Sequence, residues 1–93
     1  MLGQRINELR MSFGWSQVVL AKRLNVAKQT VSNWENDNIQ PSIEMLVRIA
    51  KIFGVTTDYL LGLDEIRRIS VEGVPDDVVA HLSLLINDFR QPI

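Results

Sequence analysis

Apolar residues recur at spacings of three and four through the first 63 positions, and each run is soon cut off by a turn-forming residue. Leu2, Ile6, Leu9 and Phe13 draw one stripe along a helix over 2–13, which Gly14 stops. Ser16 suits the cap of a second helix over 17–24, with Leu20, Ala21 and Leu24 pointing inward. Trp15 stands just before that cap, at staple spacing from Leu20. Asn25 tolerates the left-handed backbone of a tight turn, and a third helix over 28–36 buries Val31 and Trp34. Asn36, Asp37 and Asn38 make the next turn. Ser42 caps a fourth helix over 43–53, with Ile43, Leu46, Val47 and Ala50 on its apolar face and Phe53 extending it. Gly54 ends it, and Thr57 caps a short fifth helix over 58–61 that Gly62 closes. Five short helices on connections of three to six residues, with no strand pattern among them, give an all-α domain over 1–63.

The pattern changes over 64–93. Ile69 and Val71 alternate with polar neighbours and read as a short strand, broken by Gly73. Pro75 suits a first helical position, and Asp76 and Asp77 favour a helix N-terminus through the dipole. Val78, Val79, Leu82, Leu85, Ile86 and Phe89 then lay one broad apolar face along a helix over 76–90. Charge divides at the same place. Residues 1–63 carry seven Lys/Arg against five Asp/Glu, whereas 64–93 carry three against six. The first part is mildly basic and the second acidic, an asymmetry that points to two jobs.

Composition excludes more than it selects. With no cysteine there are no disulfides or thiolate metal sites, and a reducing cytoplasm is the expected setting. No apolar run approaches the roughly 18 residues of a membrane span, and Arg5 and Arg10 interrupt any leader-like stretch at the start. An enzyme is not expected. His81 is the single histidine, no Ser/His/Asp arrangement or glycine-rich phosphate loop is present, and the Asp76–Asp77 pair is explained by the helix dipole. Neither a metal nor a cofactor is expected. The thirty residues past 63 are too few to enclose a metabolite pocket, so no small-molecule ligand is expected either.

The third helix divides its labour. At about 100° per residue, Ala27 and Trp34 fall within about 60° of Val31, while Gln29, Ser32, Asn33 and Asn36 lie between about 100° and 200° from it. A merely solvated face favours Glu and Lys, which have better helix propensity than Asn or Ser. An uncharged face of amides and hydroxyls fits contact with base edges, because Gln and Asn can pair bidentately with adenine and Lys can donate to guanine. A plain polar surface is the competing reading. Arg10 and Glu35 each lie about 40° from an apolar stripe, at the border of the core.

Gln17, Ala21, Asn25, Val31 and Trp34 fall in the order and spacing of the helix-turn-helix of phage repressors and Cro, the XRE family, and the chain resembles that family over about 1–63. The flanks "INELR", "GWSQ", "WEN", "PS" and "LVRIAKIFGVTTDYLLG" are similar too. The resemblance implies a repressor-type five-helix domain that binds duplex DNA and regulates transcription. It implies that Lys28, Gln29, Ser32 and Asn33 read the major groove, and that Ser16, Gln17 and Asn36 meet phosphates. Gln17 as a plain surface residue and Lys28 as only a phosphate contact stay open beside this. It also implies an Arg10–Glu35 salt bridge, against two unrelated surface charges.

Three departures from the family pattern weaken phosphate attraction. Ala27 stands where a Ser or Thr usually caps the recognition helix, Asp37 replaces the usual Gly, and Asn38-Ile39-Gln40 replaces a segment that is often basic. A lone domain should then bind poorly. Ile69, Val71, Val78, Leu82, Leu85, Ile86 and Phe89 are accordingly expected to pair two copies, giving a homodimer on a pseudo-palindromic operator; packing back on the chain's own domain is the other outcome. The alternative function is an antitoxin-type or regulatory interaction protein, whose main partner is a toxin or a protein antagonist.

Overall fold

The computed structural model describes residues 1–90, and those residues form six helices. They are α1 (Leu2–Ser12), α2 (Gln17–Leu24), α3 (Lys28–Glu35), α4 (Ile43–Phe53), α5 (Thr57–Leu60) and α6 (Asp76–Arg90). None is long and apolar enough to cross a membrane.

The helix starts follow side-chain chemistry. Ser16 Oγ accepts from the Val19 N–H at 3.1 Å, and Ser42 Oγ from the Met45 N–H at 3.1 Å, so α2 and α4 begin on hydroxyl caps. Ala27 opens α3 with no side-chain cap, the weakness expected of an alanine there. The cap of α5 differs from the expected one. Thr56 holds the Tyr59 N–H at 3.0 Å, and Thr57 is the first helical residue. Two adjacent threonines offered the same chemistry, and the extended backbone falls at Thr56. Asn25 ends α2 in the left-handed conformation, φ 58°, and turns the chain into α3.

One core joins the first five helices. Ile6 and Leu9 of α1, Leu20, Ala21 and Leu24 of α2, Val31 and Trp34 of α3, Ile49, Ala50 and Phe53 of α4, and Leu60 of α5 are all buried. At about 1.5–3 kcal/mol per large apolar side chain, this burial is what holds helices too short to persist alone. The buried face of α4 is rotated from the expected one. Ile43 is 83% exposed and Val47 half-buried at best, while Ile49 joins the expected Ala50 and Phe53 in the core. Two stripes of three-and-four spacing run along this apolar helix, and packing chooses the one nearer its C-terminus. Phe13, Trp15 and Phe53 extend the core as an aromatic cluster, with Trp15 and Phe53 stacked at 5.7 Å between centroids.

Gly3 is needed where α1 meets α3. A Cβ there would collide with the carbonyl oxygens of Trp34 and Glu35, so only glycine lets the start of α1 rest on the end of α3. Asp37 completes that junction: its Oδ1 accepts from the Gly3 N–H at 3.1 Å, a cap for α1 supplied from across the fold. α3 thus packs chiefly on α2 and α1, with its opposite side left clear.

The segment beyond Gly62 departs from expectation at one point. Ile69 and Val71 lie in irregular chain with no bridge partner, and no strand forms among the described residues. A lone stretch of this length has nothing to pair with. The helix over 76–90 is present as expected, and none of its residues is buried.

Candidate nucleic-acid interface

The interface is built by fixing one side of α3 and leaving the other free. Val31 and Trp34 sink into the core, and at helical spacing this turns Gln29, Ser32, Asn33 and Asn36 outward, with Lys28 at the flank of that face in the first turn. Lys28, Gln29 and Asn36 are exposed, and Ser32 and Asn33 are partly so. The outward amides and the Ser32 hydroxyl are paired along the helix. Gln29 Nε2 donates to Asn33 Oδ1 at 3.1 Å, and Asn36 Nδ2 to Ser32 Oγ at 3.3 Å. Each amide keeps further hydrogens and lone pairs for an outside partner, so the face presents donors and acceptors in a semi-ordered row.

At the end of α3 sits Glu35, its side chain only 4% exposed. Arg10 Nε donates to Glu35 Oε2 at 2.6 Å and Arg10 Nη2 to Oε1 at 3.0 Å, a two-pronged ion pair. The salt bridge implied by the resemblance is therefore present. Asn7 Nδ2 at 2.9 Å and Gln17 Nε2 at 3.0 Å also donate to Oε1, while Arg10 Nη1 donates to the Trp15 carbonyl at 2.8 Å. Burial pushes the Glu35 carboxyl up, but the hydrogen bonds from Arg10, Asn7 and Gln17 and the Arg10 charge outweigh it and hold it below its usual range. The Arg10 guanidinium is held above its ordinary value, first by its hydrogen bond to Glu35.

This network relates the two short helices of the motif. Ser16 and Gln17 open α2, and Gln17 reaches Glu35 beside Asn36, so the three residues expected at phosphates gather at one end of the exposed face. Ser16 Oγ spends a lone pair on its cap and keeps its hydroxyl hydrogen. The Gln17 side chain is tied down at the edge of the core. One amide hydrogen goes to Glu35, and the second is left for another acceptor.

Sequence reading missed two contributors and the contact made by a third residue. Asn7 lies one turn before Arg10 on the same face, a spacing that could have flagged it. Arg48 Nη2 caps the Leu24 carbonyl at 2.8 Å, which steadies the end of α2. Asp37 makes a contact that its sequence position does not disclose: its Oδ1 accepts from the Gly3 N–H at the start of α1. Its φ of 57° explains why glycine is usual at that position. Among the described residues no cluster of three His, Cys, Asp or Glu could hold a metal ion.

The helix-turn-helix family model matches residues 6–60, which takes in the outward face of α3 and the whole Glu35 network. The chain belongs to the helix-turn-helix family. Its type is that of phage repressors and Cro, and its relatives are transcriptional regulators. It is 37% identical over 67 residues to the HTH-type transcriptional regulator ImmR of Bacillus subtilis (strain 168), covering 72% of this chain and 53% of that protein. The chain thus spans about half the length of that relative. The P22 c2 repressor bound to a synthetic operator superposes with a TM-score of 0.65 at 31% identity, over 69% of this chain and 97% of that one. A chain of the SinR/SinI protein complex is similar over 97% of both chains, with a TM-score of 0.63 and 26% identity. The first two likenesses cover about as many residues as the five-helix domain holds, whereas the third takes in nearly the whole chain.

Proposed function

We propose that this chain is a sequence-specific, non-catalytic DNA-binding regulator of transcription, a repressor acting as a homodimer in the cytoplasm on a pseudo-palindromic operator. The observation that carries the reading is the outward face of α3, which carries a single charge at Lys28, is rich in amides and stands clear of the core, on a helix clamped from behind by α1 and α2. Lys28, Gln29, Ser32 and Asn33 read base edges in the major groove; Ser16, Gln17 and Asn36 hold phosphates and fix the register. The operator-bound P22 c2 repressor supports this use of a like-shaped domain. Selection of bound sequences from a random duplex pool tests it. A recovered motif with two related half-sites is expected, and a pool that stays unenriched overturns the proposal.

Dimerisation through residues 64–93 completes the reading. Val78, Leu82, Leu85, Ile86 and Phe89 are each more than 40% exposed on α6, so the chain's own domain does not cover the apolar face. Leu84, off the expected stripe, is 61% exposed as well. A second copy is the occupant favoured here, because one weakly basic domain has few charges with which to hold DNA alone. The uncovered α6, together with the whole-chain likeness to a member of a protein–protein complex, also supports a second reading, in which a protein antagonist or toxin occupies that face.

A further inference from the structure

We propose that Glu35 is a positioning residue for DNA binding, and that its task beyond the ion pair is to aim the Gln17 amide at a backbone phosphate. The inference rests on the reading above that Gln17 meets a phosphate. Glu35 is an unusually well-fixed acceptor. Arg10 holds both of its oxygens, Asn7 adds a third donor, and Arg10 is itself anchored on the Trp15 carbonyl at 2.8 Å. Gln17 is bound to this fixed carboxylate at 3.0 Å through one of its two amide hydrogens.

A free glutamine has among the largest rotamer freedom of any side chain, and ordering it at the moment of binding would weaken the contact. Here the order exists beforehand. The first hydrogen is tied to Glu35, so the second has a defined direction at the start of α2. The backbone N–H groups of Gln17 and Val18 lie in the same turn, where they have no carbonyl one turn back to bond. A carboxylate so near a phosphate would ordinarily repel it, and Arg10 cancels that charge at 2.6 Å. The ion pair therefore lets an acidic residue orient an anion-binding group without an electrostatic penalty.

The test compares Gln17→Ala in two backgrounds, wild type and Arg10→Met with Glu35→Leu. The double change removes one positive and one negative charge, so the net charge and the general attraction to DNA are kept. Binding is measured in full-length protein on a short random-sequence duplex at low salt, because a phosphate contact weakens every sequence alike. Gln17→Ala should lower affinity about tenfold, the worth of one charge-assisted hydrogen bond. The double variant, shown to be folded by its urea transition, should lose the same factor, and adding Gln17→Ala to it should change nothing further. Full affinity in the Gln17→Ala protein would remove the phosphate reading of Gln17 itself. A loss with Gln17→Ala but wild-type affinity in the folded double variant would overturn the positioning role alone. A second measurement needs no variant: the Gln17 side-chain amide signals in the NMR spectrum of wild-type protein. They should stay restricted in free protein and at DNA saturation, whereas averaging in either state refutes the proposal.

Discussion

Replacing Arg10 by methionine should harm the fold more than removing Arg10 and Glu35 together. Arg10 is the sole donor to Glu35 Oε2, at 2.6 Å, and it shares Oε1 with Asn7 and Gln17. In Arg10→Met the carboxylate stays in a site where its side chain is 4% exposed, with one oxygen stripped of its partner. Stranding a buried charge in this way costs about 3–5 kcal/mol. That is a large part of the roughly 5–15 kcal/mol by which a small domain is stable. In Arg10→Met with Glu35→Leu the charge is gone. What remains are the Trp15 carbonyl and the Asn7 and Gln17 amides without their partners, half-buried groups that water can reach, at about 1–2 kcal/mol in all. The double variant should therefore be more stable than Arg10→Met by about 2 kcal/mol. Urea unfolding followed by the fluorescence of Trp15 and Trp34 reads this directly. With a slope of about 1–3 kcal/mol/M, the single variant's midpoint should fall by about 1 M or more, and the second substitution should restore part of the loss. A double variant less stable than either single one, or a cycle with no coupling, would refute the reasoning.

Three further outcomes are expected. The Glu35 carboxyl is held below its ordinary value when folded, so its ionised form stabilises the fold above about pH 4.5, and this support is lost as pH falls through the depressed folded value. Urea midpoints between pH 3 and pH 7 should drop more steeply for wild type than for Arg10→Met with Glu35→Leu, and parallel curves would contradict the assignment. Gln29→Ala and Asn33→Ala should each relax base preference at one or two positions, for about 1–3 kcal/mol, with little change in stability. Because the two amides bond to each other at 3.1 Å, their effects in competition binding should be less than additive, and an unchanged preference in both would move the reading face elsewhere. A chain ending at Leu63 keeps the entire buried core, so it should stay folded, sediment as a monomer and lose most operator affinity. Full-length protein that sediments as a monomer at tens of micromolar would remove the dimer.

Local chemistry was enough to read the helices of this chain. Spacing along α1 to α3, the hydroxyls of Ser16 and Ser42, and the tolerance of Asn25 for a left-handed turn are properties of neighbouring residues, so they can be seen in one dimension. The outward amides of α3 were legible for the same reason, since burying Val31 and Trp34 decides where Gln29 and Asn33 must point. Where two local solutions were equally good, only packing chose between them. Thr56 rather than Thr57 caps α5, and Ile49 rather than Ile43 and Val47 faces the core from α4. The short strand over Ile69 and Val71 does not form, because a strand needs a partner and none lies beside it among the described residues. Contacts across the fold were the least visible of all. Asp37 capping α1 and Gly3 resting on the end of α3 join residues more than thirty positions apart, and the convergence of Asn7, Arg10 and Gln17 on Glu35 draws on three helices. Periodicity says which side of a helix is buried. It does not say which polar groups meet at its edge, because that is set by the angles at which the helices cross.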